Sequence, residues 1–190
     1  MKMRERLLVA GHEQVAEGGW AATSVVDVAR RAGVSTGALY RHFAGKGELC
    51  AEIFRDAADR EVTLMRGIAA REGAAGERLA ACVETFCRRA LAAPTLTYAL
   101  MAEPVDPAVE QARIDSKAAH RAVFAGLLAE GVETGEWPPL DVDVAAGALV
   151  GAMQEAVGLN PAGGDALVAS LVSFALQSVQ ANAPDRSLQT

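Results

Sequence analysis

Between Ser24 and Lys46 the chain reads SVVDVARRAGVSTGALYRHFAGK, and few folds accommodate such a stretch. Val25, Val28 and Ala29 recur at helical spacing. Ser24 stands before them as an N-cap, and Asp27 three residues later completes a capping-box pattern, so a short helix is predicted from about Val25. It stops at Gly33, because a glycine just past the last periodic residue enters the left-handed region at little steric cost. Val34 plugs the corner. Ser35 caps a second short helix over Thr36 to Phe43, whose Leu39 and Phe43 lie four apart and face the first. Two short helices joined by a glycine corner make a helix-turn-helix.

The outward face of the second helix carries Ser35, Thr36, Gly37, Ala38, Tyr40, Arg41 and His42. Small residues at its amino-terminal end allow close approach to a base edge, and Thr36 supplies a hydroxyl that both donates and accepts there. Tyr40, His42 and Lys46 offer donors where phosphates would lie, Arg41 shares that face, and Thr23 and Ser24 stand at the start of the first helix. These ten residues are the candidate DNA contacts. Taken alone, Val-Ala-x-x-Ala-Gly-Val also fits a plain helical hairpin with a polar outer face, the lesser alternative.

The longer stretch AGVSTGALYRHFAGKGEL resembles the recognition segment of TetR-type transcriptional regulators, through Ala29, Ala32, Gly33, Val34, Ser35, Gly37, Leu39, Tyr40, His42, Phe43, Lys46 and Leu49. The similarity extends upstream through Leu7, Leu8, Ala10, Ala16, Gly19 and Trp20, read as a first helix and its stop, and covers roughly residues 4–55. Four positions depart from the family's pattern. Gly11, Gln14 and Val15 replace larger or more apolar residues, which predicts weaker helix propensity or less core volume. Gly47 sits in the first turn of the next helix. None of these touches the reading face.

A net charge of −6 argues at first against a nucleic-acid partner, but residues 1–50 hold seven of the 18 Lys and Arg and five of the 24 Asp and Glu. That segment is therefore +2 and the remainder −8, a basic head on an acidic body that a duplex would repel. No apolar run follows the charges at the amino terminus, so no signal peptide is expected and the chain reads as cytoplasmic. The longest uncharged run, Ala166 to Pro184, is interrupted by Ser170, Ser173 and Gln177 and reads as an amphipathic helix, with no membrane partner. Cys50, Cys82 and Cys87 are odd in number and lack metal-ligand spacing, so buried reduced thiols are expected, redox sensing being the alternative.

Past the head, Leu49, Ile53, Ala57 and Leu64 give a helix from Lys46 to about Ala70 that connects head to body. Gly73 to Gly76 reads as a loop, followed by helices from Glu77 to Ala92, from Pro94 to Met101 and from Pro107 to about Glu133. Arg113 and His120 lie seven apart on the last of these. Either they are satisfied inside the protein, Arg113 by Glu103 or Glu110, or they meet a polar or anionic ligand. Residues 131–139 form a connector. Asp141 or Asp143 caps a helix to about Leu159, and Asp165 caps a last one to about Gln180, with the residues after Asn182 as a frayed tail. The fold class is therefore all-α.

The apolar face of the last two helices is too wide for one neighbour, and Gly147 and Gly151 permit close approach. With Leu171 and Phe174 they are the candidate two-fold dimer contacts of an intersubunit four-helix bundle, unless these helices simply finish the protomer's core. No phosphate loop, nucleophile elbow or paired metal ligands occur, so no catalytic residue, metal or cofactor is assigned. The resemblance implies a DNA-binding head, residues 1–48, and an effector-binding and dimerisation body, residues 49–190. It also implies a pocket in the body whose occupancy releases a palindromic operator. Candidates for lining that pocket are Phe86, Tyr98, Met101, Arg113, His120, Phe124 and Met153. An effector-independent DNA binder is the alternative, an enzyme using the body pocket a more distant one.

Overall fold

The computed structural model describes residues 1–180 and is all-helical over them, with no strand among the described residues. In chain order the helices are α1 (Met3–Ala22), α2 (Val25–Arg31), α3 (Thr36–Leu39), α4 (Lys46–Ala69), α5 (Ala75–Ala92), α6 (Pro94–Met101), α7 (Pro107–Glu133), α8 (Val142–Leu159) and α9 (Gly164–Gln180). The tail expected after Asn182 lies outside the described residues. Two compact units result: Met1–Glu61 with Ala92–Lys117, and Val62–Leu91 with the chain from Ala118 onward. α4 and α7 each contribute one end to each unit.

In the first unit, α1 is broken at Gly19, whose φ of 74° and ψ of −174° leave Trp20–Ala22 as a separate last turn. Leu7, Val15, Val28, Leu39, Phe43, Leu49 and Ile53 pack together beneath the helix-turn-helix, joined by Trp20, Phe54, Ala99, Val109 and Ala112. Gly11 and Gln14 do not weaken this core. A Cβ on Gly11 would stand 2.2 Å from the Ile53 Cδ1, so the isoleucine of α4 already fills that space. Gln14 is buried and its side-chain oxygen accepts the backbone N–H of Ser24 at 3.2 Å, tying α1 to the cap of α2.

The second unit buries Met65, Leu79, Val83, Phe86, Phe124, Leu127, Leu128, Leu149, Met153, Val157, Val168, Leu171 and Val179. Leu171, expected at a dimer contact, is therefore a residue of the protomer's own core. α5 begins at Ala75, two residues earlier than periodicity suggests. The Glu136 carboxylate accepts the otherwise unpaired N–H groups of Ala75 and Gly76 at 2.8 and 2.7 Å and so extends the helix into the predicted loop. Trp137 lies on Gly131, where a Cβ would be 2.1 Å from the ring, so Gly131 belongs inside α7 rather than to the connector. Asp141, not Asp143, caps α8, accepting from the Val144 N–H at 3.1 Å.

Candidate nucleic-acid interface

Ser24 holds the start of α2 from both directions. Its hydroxyl accepts the Asp27 N–H at 3.1 Å and donates to the Asp27 carboxylate at 2.7 Å. That bond, with the Arg30 guanidinium second, holds the Asp27 carboxyl below its ordinary range. The helix ends at Gly33 with φ of 66°, and the Val34 N–H reaches back to the Ala29 carbonyl at 2.9 Å, the closure that a left-handed residue creates. Arg6 of α1 clamps the corner by donating to the carbonyls of Ala32 and Gly33.

α3 is shorter than the eight residues that its apolar spacing suggests. Ser35 caps it by accepting the Ala38 N–H at 3.1 Å, but beyond Leu39 three-residue steps, Arg41 to Ala38 and His42 to Leu39, interrupt the four-residue bonds of Tyr40 to Thr36 and Phe43 to Leu39. Leu39 and Phe43 are buried as their spacing requires, which turns Ser35, Thr36, Gly37, Tyr40, Arg41 and His42 to solvent. Ala38 is half-buried. Tyr40 is 54% exposed despite its large ring, an apolar body with a phenol to offer at the rim of this face.

The basic side chains of the head differ in their partners. Arg4 pairs with Glu52, Arg30 with Asp27, and Arg31 grips Glu17 through two bonds of 2.7 Å, holding the Glu17 carboxyl below its ordinary range. Arg41 and Lys46 are exposed and make no ion pair among the described residues, leaving their charges available to phosphate. Thr23 departs from expectation. It is 1% exposed and its hydroxyl donates to the Gly19 carbonyl at 2.9 Å, so its side chain secures the corner between α1 and α2 and does not contact DNA.

The seven residues expected to line an effector pocket fall into both units. Phe86, His120, Phe124 and Met153 are buried in the second, where the Phe86 and His120 rings meet edge-on with centroids 6.2 Å apart. Tyr98, Met101 and Arg113 belong to the first. Arg113 is a structural residue, not a ligand contact: its guanidinium donates to the Leu100, Ala99 and Glu103 carbonyls at 2.9, 3.3 and 2.8 Å and to Glu110 at 2.7 Å. Tyr98 is 55% exposed and faces solvent. A groove of about 480 Å³ in the first unit is lined by Trp20, Lys46, Cys50, Val105, Asp106 and Val109, among others, and by none of the seven. Burial pushes the Cys50, Cys82 and Cys87 thiols up to about 11, which keeps them protonated at neutral pH and unlike sensor thiolates.

Residues 7–53 match the model of the bacterial regulatory proteins of the tetR family. The amino-terminal head belongs to that family. Solved structures extend the likeness over the whole fold. FadR from Bacillus subtilis, solved in complex with stearoyl-CoA, is 22% identical with a TM-score of 0.77, over 93% of this chain and 97% of that one. FadR from Bacillus halodurans is 21% identical with a TM-score of 0.79, over 97% of each chain. A TetR/AcrR regulator from Thermobifida fusca is 27% identical with a TM-score of 0.72, over 91% and 96%. Among curated proteins none matches the sequence. The helix-turn-helix was legible from residue spacing, whereas Arg6, which braces the Gly33 corner, and Gln14, which holds the start of α2, carry no local signal.

Proposed function

We propose that this chain is a cytoplasmic, ligand-responsive transcriptional regulator, a repressor that holds a near-palindromic operator as a homodimer and leaves it when a small molecule binds the body. The functional division falls near residue 48, with reading by residues 1–48 and effector binding and dimerisation by residues 49–190. The observation that carries the reading is the head: a glycine-cornered pair of capped helices that exposes Thr36 and Gly37 beside Arg41 and Lys46, which make no ion pair among the described residues. Ser35, Thr36, Gly37 and Ala38 approach bases, while Ser24, Tyr40, Arg41, His42 and Lys46 set the register on phosphates. Binding of a small molecule is supported by the Bacillus subtilis neighbour, which was solved in complex with stearoyl-CoA. Phe86, His120, Phe124 and Met153 are the candidates for the effector's apolar surroundings.

The test is selection of duplexes from a random-sequence pool by the full-length protein, followed by titration at several salt concentrations. An enriched two-fold sequence is expected. Lys46→Ala then weakens binding on every duplex and flattens the salt slope by about 0.9. Thr36→Ala changes preference at one base pair by about 1–3 kcal/mol. Equal losses on selected and random duplexes would remove Thr36 from the reading face, and a pool with no enriched sequence would sink the proposal.

A further inference from the structure

Breaking α1 at Gly19 creates a problem at the base of the head. The last turn, Trp20–Ala22, starts with N–H groups that have no partner within their own helix. Both leading donors are taken by one side chain more than eighty residues away. The Glu103 carboxylate accepts Trp20 N–H through Oε2 and Ala21 N–H through Oε1, each at 2.8 Å, and the Trp20 indole N–H donates to the Ala99 carbonyl at 2.7 Å. Gly19 is required on two counts, since its φ is positive and a Cβ there would lie 2.5 Å from Glu103 Oε2.

The segment that delivers this carboxylate is itself gripped from the other side. Arg113 of α7 donates to the carbonyls of Ala99, Leu100 and Glu103 and is oriented by Glu110. On the head side, the Gly19 carbonyl accepts the Thr23 hydroxyl, and the next residue, Ser24, caps α2. An unbroken run of hydrogen bonds and short backbone steps therefore leads from Arg113, through residues 99–103, to the first residue of the helix-turn-helix. All of it lies within the first unit.

We propose that Glu103 and Arg113 are positioning residues for DNA recognition: Glu103 sets the angle at which the end of α1 launches α2, and Arg113 holds the loop that places Glu103. Neither touches DNA in this scheme. A change in α6 or α7 reaches the reading face by loosening or tightening the two Glu103 bonds. The proposal rests on the DNA-binding reading above and adds to it the residues through which the reading face is held.

The experiment uses full-length protein, a duplex selected by the wild type and a random-sequence duplex of equal length. Glu103→Gln keeps the shape and one acceptor oxygen, and Glu103→Ala removes both. The ratio of selected to random affinity is expected to fall by on the order of tenfold for the alanine variant and by less for the glutamine variant. The salt slope stays unchanged, because no phosphate contact is lost. Hydrogen exchange of the peptide containing Trp20 and Ala21 quickens in both variants. Arg113→Lys reproduces the loss of preference, and its effect combines non-additively with Glu103→Gln. A lowered melting temperature with the affinity ratio untouched would make Glu103 a cap and nothing more, overturning the proposal. A wild type that enriches no duplex overturns the DNA reading itself and this inference with it.

Discussion

At the scale of single residues, the head is built around positions where the absence of a side chain is what fits. Gly11 is buried in α1, and the Ile53 Cδ1 and Cγ1 occupy the place of its missing Cβ at 2.2 and 2.8 Å. Helix propensity favours alanine over glycine by about 1 kcal/mol. Overpacking a filled core costs about 1–3 kcal/mol, and Ile53, 1% exposed, has no solvent to rotate into. We therefore expect Gly11→Ala to destabilise the protein in urea unfolding. Ile53→Val, which removes the colliding methyl, is expected to cost about 0.5–1.5 kcal/mol alone yet to recover part of the loss in the double variant. A Gly11→Ala protein more stable than wild type would show that the isoleucine moves aside.

At the scale of elements, the helix-turn-helix was legible because its determinants are local. A cap, an apolar pair four apart and a glycine suffice to place α2, its corner and the start of α3. What was not legible was supplied from far along the chain. Glu103 caps the last turn of α1, and Glu136 lengthens α5; carboxylates that distant leave no periodic trace. The end of α3 was missed for a different reason, since Phe43 is buried whether the backbone reaches it by α-helical or by tighter turns. Arg113 and His120 looked alike in spacing, but whether an inward polar group meets backbone carbonyls or a ligand depends on neighbours that spacing does not name. The corner itself makes a sharp prediction. Gly33→Ala forces a left-handed alanine, at about 1–2 kcal/mol, and its Cβ would stand 2.9 Å from the Arg6 guanidinium that clamps the turn. The variant should melt lower and lose preference for the selected duplex. Unchanged melting would mean that the corner tolerates a right-handed alternative.

At the scale of the whole molecule, α8 leaves an apolar stripe exposed. Val142–Leu159 is long and apolar enough to cross a membrane by length and composition, with mean hydropathy 1.3, yet only 28% of it is buried. Its uncovered stripe runs through Val144, Gly147, Ala148 and Gly151, and Phe174 of α9 is 47% exposed. The proposed two-fold operator would need two heads, which makes a second copy of the chain the fitting cover, and a Cβ on Gly151 would meet nothing within 4 Å among the described residues. Gly151→Leu and Phe174→Asp are therefore expected to give monomers in sedimentation velocity, to remove the rise of melting temperature with protein concentration, and to reduce affinity for a two-fold duplex toward that of one head. Leu171→Ala supplies the contrast. Leu171 is only 7% exposed in the protomer, so its truncation should cost about 2–5 kcal/mol of stability and leave the dimer assembled. If Gly151→Leu and Phe174→Asp both remain dimeric at micromolar concentration while Leu171→Ala dissociates, the two copies meet on another face and the exposed stripe of α8 serves something else.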